Sequence, residues 1–150
     1  MTENFYQYHE NTHKIILLGK RNLLKVKIYY HHTDCGGVVY YANYLKFLEE
    51  ARTEFLLEKG VSIKDLSKSG VLFAVIRQEI DYKSPAFYAD TLNIDTRISN
   101  TSKVKIEFEH QIKNQQDKII CQARTLLACV DANFKPLPIP EEIRNKIVSG

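Results

Sequence analysis

The sequence predicts an α+β domain in which one long helix is wrapped by a curved antiparallel β-sheet of about five strands. Three observations predict it. A single long helical pattern, Tyr44 to Phe55, follows one alternating segment and precedes four more. The later segments are joined by short polar turns, Asn100-Thr101-Ser102 and Asn114 to Asp117, as antiparallel hairpins are. The apolar positions of the helix occupy a broad arc, which a sheet face would cover.

Each element can be justified in order. Met1 to Asn22 is polar, with histidines and tyrosines but no clear period, and reads as an N-terminal extension (residues 1–23) ahead of a single domain (residues 24–150). Leu24, Val26, Ile28 and Tyr30 alternate with Lys25, Lys27 and Tyr29, the pattern of a half-buried strand. Tyr44, Leu48, Ala51 and Phe55, with Leu45 and Phe47 beside them, recur at helical spacing, and Gly60 is a C-terminal stop. Val61 to Gly70 is a connection with a short helical turn. Leu72 to Lys83 is apolar and β-branched and ends at Ser84-Pro85. Leu92, Ile94, Thr96 and Ile98 then share one face of a strand, and Val104, Ile106, Phe108, His110 and Ile112 one face of the next. Ile119 to Val130 is the last strand. Pro136, Pro138 and Pro140 end the sheet, and Glu141 to Val148 form a closing helix. The exposed edge of such a sheet is a place for two copies to join.

Composition narrows the function classes. At 150 residues, with 44% hydrophobic and 26% charged residues, the chain fits one globular domain with a sizeable core. A formal net charge of +3 is too small to argue for nucleic acid, although a mildly basic face could meet a phosphorylated handle such as that of coenzyme A. No stretch is long and apolar enough to span a membrane, and no signal peptide is visible. Cys35, Cys121 and Cys129 are odd in number and lack metal-binding spacing, so reduced thiols in a cytoplasmic protein are expected.

The chemistry concentrates at Asp34, Gly36-Gly37 and the helix that follows. A turn feeding a helix leaves the first amide N–H groups without intrahelical partners, and the helix dipole adds positive potential there. A carboxylate just upstream can face the same spot. A base or nucleophile on one side and an oxyanion site on the other are the minimum for attack on a carbonyl. The simpler reading is that Asp34 forms or caps the turn. Cys35 beside His31 and His32 invites a Cys–His nucleophile, but neighbours on an extended segment point opposite ways. A metal at His31, His32 and Asp34 fails because successive residues seldom converge on one ion.

Lys27-Ile28, then Thr33-Asp34-Cys35-Gly36-Gly37-Val38-Val39-Tyr40-Tyr41-Ala42-Asn43-Tyr44, resembles the signature of the hydroxybenzoyl-CoA-type thioesterases, which have the hotdog fold. Glu49, Ala51-Arg52-Thr53-Glu54, Phe73-Ala74-Val75-Ile76-Arg77, Tyr82, Ser84-Pro85-Ala86 and Asp90 are similar to the YbgC branch, acyl-CoA thioesterases associated with the Tol–Pal envelope system. The resemblance covers Val26 to about Asp131. It implies hydrolysis of an acyl-CoA or acyl-carrier-protein thioester to free acid and thiol. The family's catalytic carboxylate falls on Asp34 and its backbone oxyanion donor on Tyr41. Gly37, Val38 and Tyr44 fall at the substrate. The resemblance implies no metal or cofactor, and a site built across subunits of a homodimer or a dimer of dimers.

The chain departs from the branch at three positions. His32 stands where an acid is usual, Tyr41 where a histidine is usual, and Lys27 where Arg or Gln is usual. All three bear on substrate preference and leave Asp34 and the backbone amide in place. Two other readings stay open: a hotdog dehydratase acting on acyl-carrier protein, with Glu49 or Glu50 as its acid, and a non-catalytic acyl-thioester-binding module. Tyr29, Tyr30, Tyr40, Tyr41 and Tyr44 could stack nucleic-acid bases, but packing and an acyl-pocket lining are more economical uses.

Overall fold

A computed structural model describes residues 5–8, 14–17 and 23–148. Five strands form one antiparallel sheet in the order β3-β5-β6-β7-β4. They are β3 (Leu23–Lys27), β4 (Leu72–Tyr82), β5 (Thr91–Thr101), β6 (Lys105–Lys113) and β7 (Ile119–Val130). The helix α1 (Asn43–Glu58) lies between β3 and β4 in sequence and packs on the sheet, and α2 (Ile63–Lys68) and α3 (Glu141–Val148) are short. Two further strands, β1 (Phe5–Tyr8) and β2 (Lys14–Leu17), pair with each other. They fall in the stretch read as a polar extension without a period. Ribbon pairing is set by backbone hydrogen bonds, which leave little trace in so short a hydrophobic pattern.

The first core strand is shorter than its alternation implies. After Lys27 the chain makes a 3-10 turn at Tyr30–His32. The Tyr29 N–H donates to His32 Nδ1 (2.9 Å) and the Thr33 hydroxyl to the Tyr30 carbonyl (2.7 Å), so local side-chain bonds replace the ladder. Ile28 stays fully buried, its N–H donating to the Asp90 carbonyl (2.8 Å). The helix ends where Gly60 was read as a stop: the Gly60 N–H reaches back to the Leu57 carbonyl and the Val61 N–H to that of Leu56. This pair of bonds is the Schellman motif.

The inward faces of the strands match the alternation in the sequence. Leu24 and Val26 on β3, Leu92 and Ile94 on β5, and Ile112 on β6 pack with Phe47 and Leu48 of α1. A second cluster joins Phe55 and Leu56 to Ile106 and Phe108 on β6, Leu127 on β7, and Ile143 and Ile147 of α3. Between the two apolar clusters lies a polar layer with one residue from each of four elements: Arg52 of α1, Thr96 of β5, His110 of β6 and Thr125 of β7, all buried. Arg52 Nη1 donates to Thr125 Oγ1 (3.2 Å), whose hydroxyl donates to Gln78 Oε1 of β4 (2.7 Å). Thr96 Oγ1 and His110 Nδ1 are 3.0 Å apart.

Burial and the neighbouring Arg52 cation push the His110 imidazole down to about 3, so it folds neutral. In the unfolded chain the same ring titrates near its ordinary value of about 6.5. The unfolded state therefore binds the extra proton as pH falls, and this contribution to stability is full above that value and lost progressively below it, down to the folded pKa. Chemical unfolding between pH 6.5 and 4.5 should show a loss of about 1.4 kcal/mol per pH unit from this residue. His110→Asn should show a flatter profile over the same range; an unchanged slope would refute the assignment.

Candidate active site

The turn after the 3-10 segment is a small hairpin. Thr33 and Val39 pair as an antiparallel bridge, and Val38 pairs with Phe87. The Asp34 N–H donates to the Val38 carbonyl (3.0 Å), Gly37 N–H to the Asp34 carbonyl (3.0 Å), and Tyr40 N–H to the His32 carbonyl (2.9 Å). Gly37 has φ +76°, a left-handed conformation that closes the loop and strains any residue with a Cβ. The hairpin is fastened to the body of the protein by the Val39 N–H, which donates to the Ala86 carbonyl (2.8 Å).

This geometry presents the Asp34 carboxylate to solvent in a defined orientation. Oδ1 accepts the Gly36 N–H at 2.8 Å, and a Cβ built on Gly36 would lie 3.1 Å from that same oxygen. Glycine at 36 is what lets the carboxylate fold so closely over the turn. Oδ2 accepts no hydrogen bond among the described residues, which leaves one oxygen held and one available.

Tyr41 stands at the approach to α1, whose N-cap, Ala42, offers no side-chain bond, and no acid lies in the first turn. The positive end of the helix is thus unneutralised by its own residues. The Tyr40 carbonyl accepts the Asn43 N–H at 2.9 Å. The 40–41 peptide is trans, so the Tyr41 N–H points the opposite way, out of the helix. Among the described residues it donates to no acceptor. This is a backbone donor aimed outward at the start of a helix, on the chain segment that carries Asp34.

Around these groups lies an aromatic rim. Tyr30 and Tyr88 meet edge to face (6.0 Å), as do Tyr40 and Tyr41 (4.9 Å), and Phe87 is exposed nearby in sequence. The Tyr40 phenol is raised above its ordinary range, first by its hydrogen bond with Tyr41 and last by the charge of Asp34. Gly37 and Val38 share the Asp34 turn. Tyr44 is different: at 3% exposure it is a core residue, its ring edge-on to Phe47 and Tyr82, and burial raises its phenol.

Among the other sequence candidates, Cys35 is exposed, while Cys121 and Cys129 are buried, and all three are free thiols. Burial pushes the Cys121 thiol up to about 12, so it is no nucleophile. The His31 and His32 rings lie 4.0 Å apart, tilted by 44°, but among the described residues no three His, Cys, Asp or Glu side chains form a metal-sized group. No helix among those residues is long and apolar enough to cross a membrane.

Sequence reasoning missed two residues. The Asn43 side chain donates to the His32 carbonyl (2.8 Å), tying the start of α1 to the strand that leads into Asp34. Its place at a helix start, where Asn is favoured, was the available signal. Tyr82, the last residue of β4, donates from its hydroxyl to the Tyr41 carbonyl (3.0 Å) across 41 positions, and no local pattern marks that contact.

Comparison with known proteins identifies the family and the fold. Residues 29–147 match the family model described as the thioesterase-like superfamily. The chain is 37% identical over 119 residues to the acyl-CoA thioester hydrolase YbgC of Escherichia coli, covering 79% of this chain and 89% of that protein. A crystal structure of a probable thioesterase from Bartonella henselae superposes with a TM-score of 0.75 at 32% identity, covering 79% of this chain and 98% of the other. The 1,4-dihydroxy-2-naphthoyl-type (DHNA-CoA) thioesterase of Staphylococcus aureus superposes with a TM-score of 0.79 at 25% identity, covering 85% and 90%. The five-stranded sheet around one long helix is therefore the hotdog fold, and the chain belongs to the thioesterase-like superfamily.

Proposed function

We propose that this protein is an acyl-CoA thioesterase that hydrolyses its substrate to a free carboxylic acid and coenzyme A, with Asp34 as its catalytic carboxylate. The single observation that carries the reading is the pairing of a half-held carboxylate with an unpartnered backbone N–H at an uncapped helix start. The thioester hydrolases among its relatives support the reaction class. Asp34 Oδ2 takes a proton from water, whose oxygen bonds to the thioester carbon. The Tyr41 N–H stabilises the resulting oxyanion, and collapse breaks the C–S bond, the thiolate leaving with the proton that Asp34 took up. Direct attack by Asp34, giving a mixed anhydride that water then hydrolyses, uses the same atoms. General-base action supplies about 10²–10⁴-fold and one oxyanion donor about 3–4 kcal/mol.

A single copy leaves this chemistry wet, since Asp34 is exposed and Tyr41 is 62% exposed. Charge stabilisation of this kind gains strength when water is excluded. The edge strand β4 offers the means: its outer side is unpaired among the described residues, and Val75 and Ile76 on it are 52% and 50% exposed. We therefore read the active form as a homodimer joined at β4, with a tetramer of paired dimers as its further assembly. The free thiols fit a cytoplasmic location, and the similarity to YbgC proteins supports a functional link to the Tol–Pal system.

Three variants test this reading by free-thiol release from a panel of aliphatic and aromatic acyl-CoAs. Asp34→Asn should stay folded and lose at least about 100-fold in turnover. Wild type without turnover, or turnover indifferent to Asp34, would reject the thioesterase reading. Gly36→Ala crowds the carboxylate without touching the core, and should lower kcat while unfolding as wild type does. Ile76→Asp should shift sedimentation toward the monomer and reduce activity with it; an unchanged oligomer would reject the β4 interface.

A further inference from the structure

We infer that Tyr82 is a positioning residue for the oxyanion donor, its hydroxyl clamping the Tyr41 carbonyl so that the Tyr41 N–H is held in its catalytic direction. The inference rests on the thioesterase reading and extends it to a residue outside the signature turn. Two peptide planes flank the Tyr41 Cα. The plane that carries the Tyr41 N–H is fixed through the Tyr40 carbonyl, which the Asn43 N–H holds at 2.9 Å. The plane that carries the Tyr41 carbonyl has one partner among the described residues, the Tyr82 hydroxyl at 3.0 Å. Tyr41 lies outside the helix proper, so its carbonyl does not join the regular helical ladder. With both planes held, the two soft dihedrals of Tyr41 have little room to drift. Without Tyr82, one of the two planes is free.

The clamp is well mounted. Tyr82 pairs with Cys121 in the β4–β7 ladder, and its ring meets Tyr44 at 5.6 Å and Tyr41 at 6.5 Å, both edge to face. Tyr44 is a buried residue of α1, so the ring that carries the clamping hydroxyl leans on the core. The Tyr82 phenol is raised by burial first, then by Cys121 and Tyr41, so the hydroxyl keeps the proton that it donates. Catalytic donors lose much of their effect when displaced by small distances, and about 10-fold is a moderate loss on that scale.

Tyr82→Phe removes the hydroxyl and keeps the ring. Its kcat should fall about 10-fold, with unfolding and oligomeric state unchanged. A purely structural role would not separate two analogues that this one does. An acyl-CoA ketone, in which CH₂ replaces the thioester sulfur, keeps the carbonyl and should bind the variant more weakly than wild type. The matching thioether, which lacks the carbonyl, should bind both equally. Equal kcat, or equal losses with ketone and thioether, would overturn the inference. Asp34→Asn is measured beside it. If that variant is inactive and Tyr82→Phe is not impaired, only the clamp fails; if Asp34→Asn is fully active, the site reading fails and the clamp with it.

Discussion

Everything at the site depends on the short antiparallel pairing of His32–Asp34 with Val38–Tyr40. Three backbone hydrogen bonds of about 3 Å hold a carboxylate on one arm and deliver the other arm directly into α1. Backbone bonds of this kind do not depend on side-chain identity, so they fix Asp34 relative to the helix start while leaving its side chain free for chemistry. The bond from the Val39 N–H to the Ala86 carbonyl then ties the hairpin to the segment that follows β4. Asn43 closes the assembly, its side chain sharing the His32 carbonyl with the Tyr40 N–H. The carboxylate, the donor and the sheet thus form one rigid unit without a disulfide or metal among the described residues.

The same economy governs the core. Burying a cation beneath a helix is costly unless polar groups receive it, and Arg52 at 8% exposure has Thr125, itself bonded to Gln78. Thr96 and His110 continue that layer across the sheet. Removing one member would strand its bonded partner, because a buried polar group left unpaired costs more than the bond itself contributes. The layer also sets register. A one-residue slip of β5 or β6 would turn Thr96 or His110 outward and bring a charged neighbour such as Arg97 or Glu109 inward.

Much of this was legible in the sequence, for identifiable reasons. Strand alternation is a direct imprint of burial on one face, so Ile106, Phe108 and Ile112 announced the inner face of β6. Gly36-Gly37 beside Asp34 announced the turn, since few other residues accept the φ of Gly37. The harder cases are those where residue type and position disagree. The charge of Arg52 points to an exposed face of α1, yet its spacing from Leu48 and Phe55 puts it on their buried face. Tyr44, expected at the substrate, packs in the core with its ring against that of Tyr82, a burial that its neighbours in sequence do not announce. The tie from Tyr82 to Tyr41 was not legible at all, because it exists only once β4 has crossed to the edge of the sheet beside the helix start.

That placement of β4 gives the edge strand two tasks. Its outer side is the unpaired edge proposed to join a second copy, and its last residue holds the carbonyl of the proposed oxyanion donor. A long exposed edge is a liability unless it is covered, and an exposed hydrogen bond is worth little unless water is kept from competing with it. Pairing of β4 with a partner strand answers both at once: it satisfies the edge, and it steadies the strand from which Tyr82 reaches Tyr41. The proposed catalytic groups lie on an exposed turn at the start of α1. Under the proposed pairing, assembly is what would convert that open, hydrated turn into a site where a carboxylate and one backbone amide suffice.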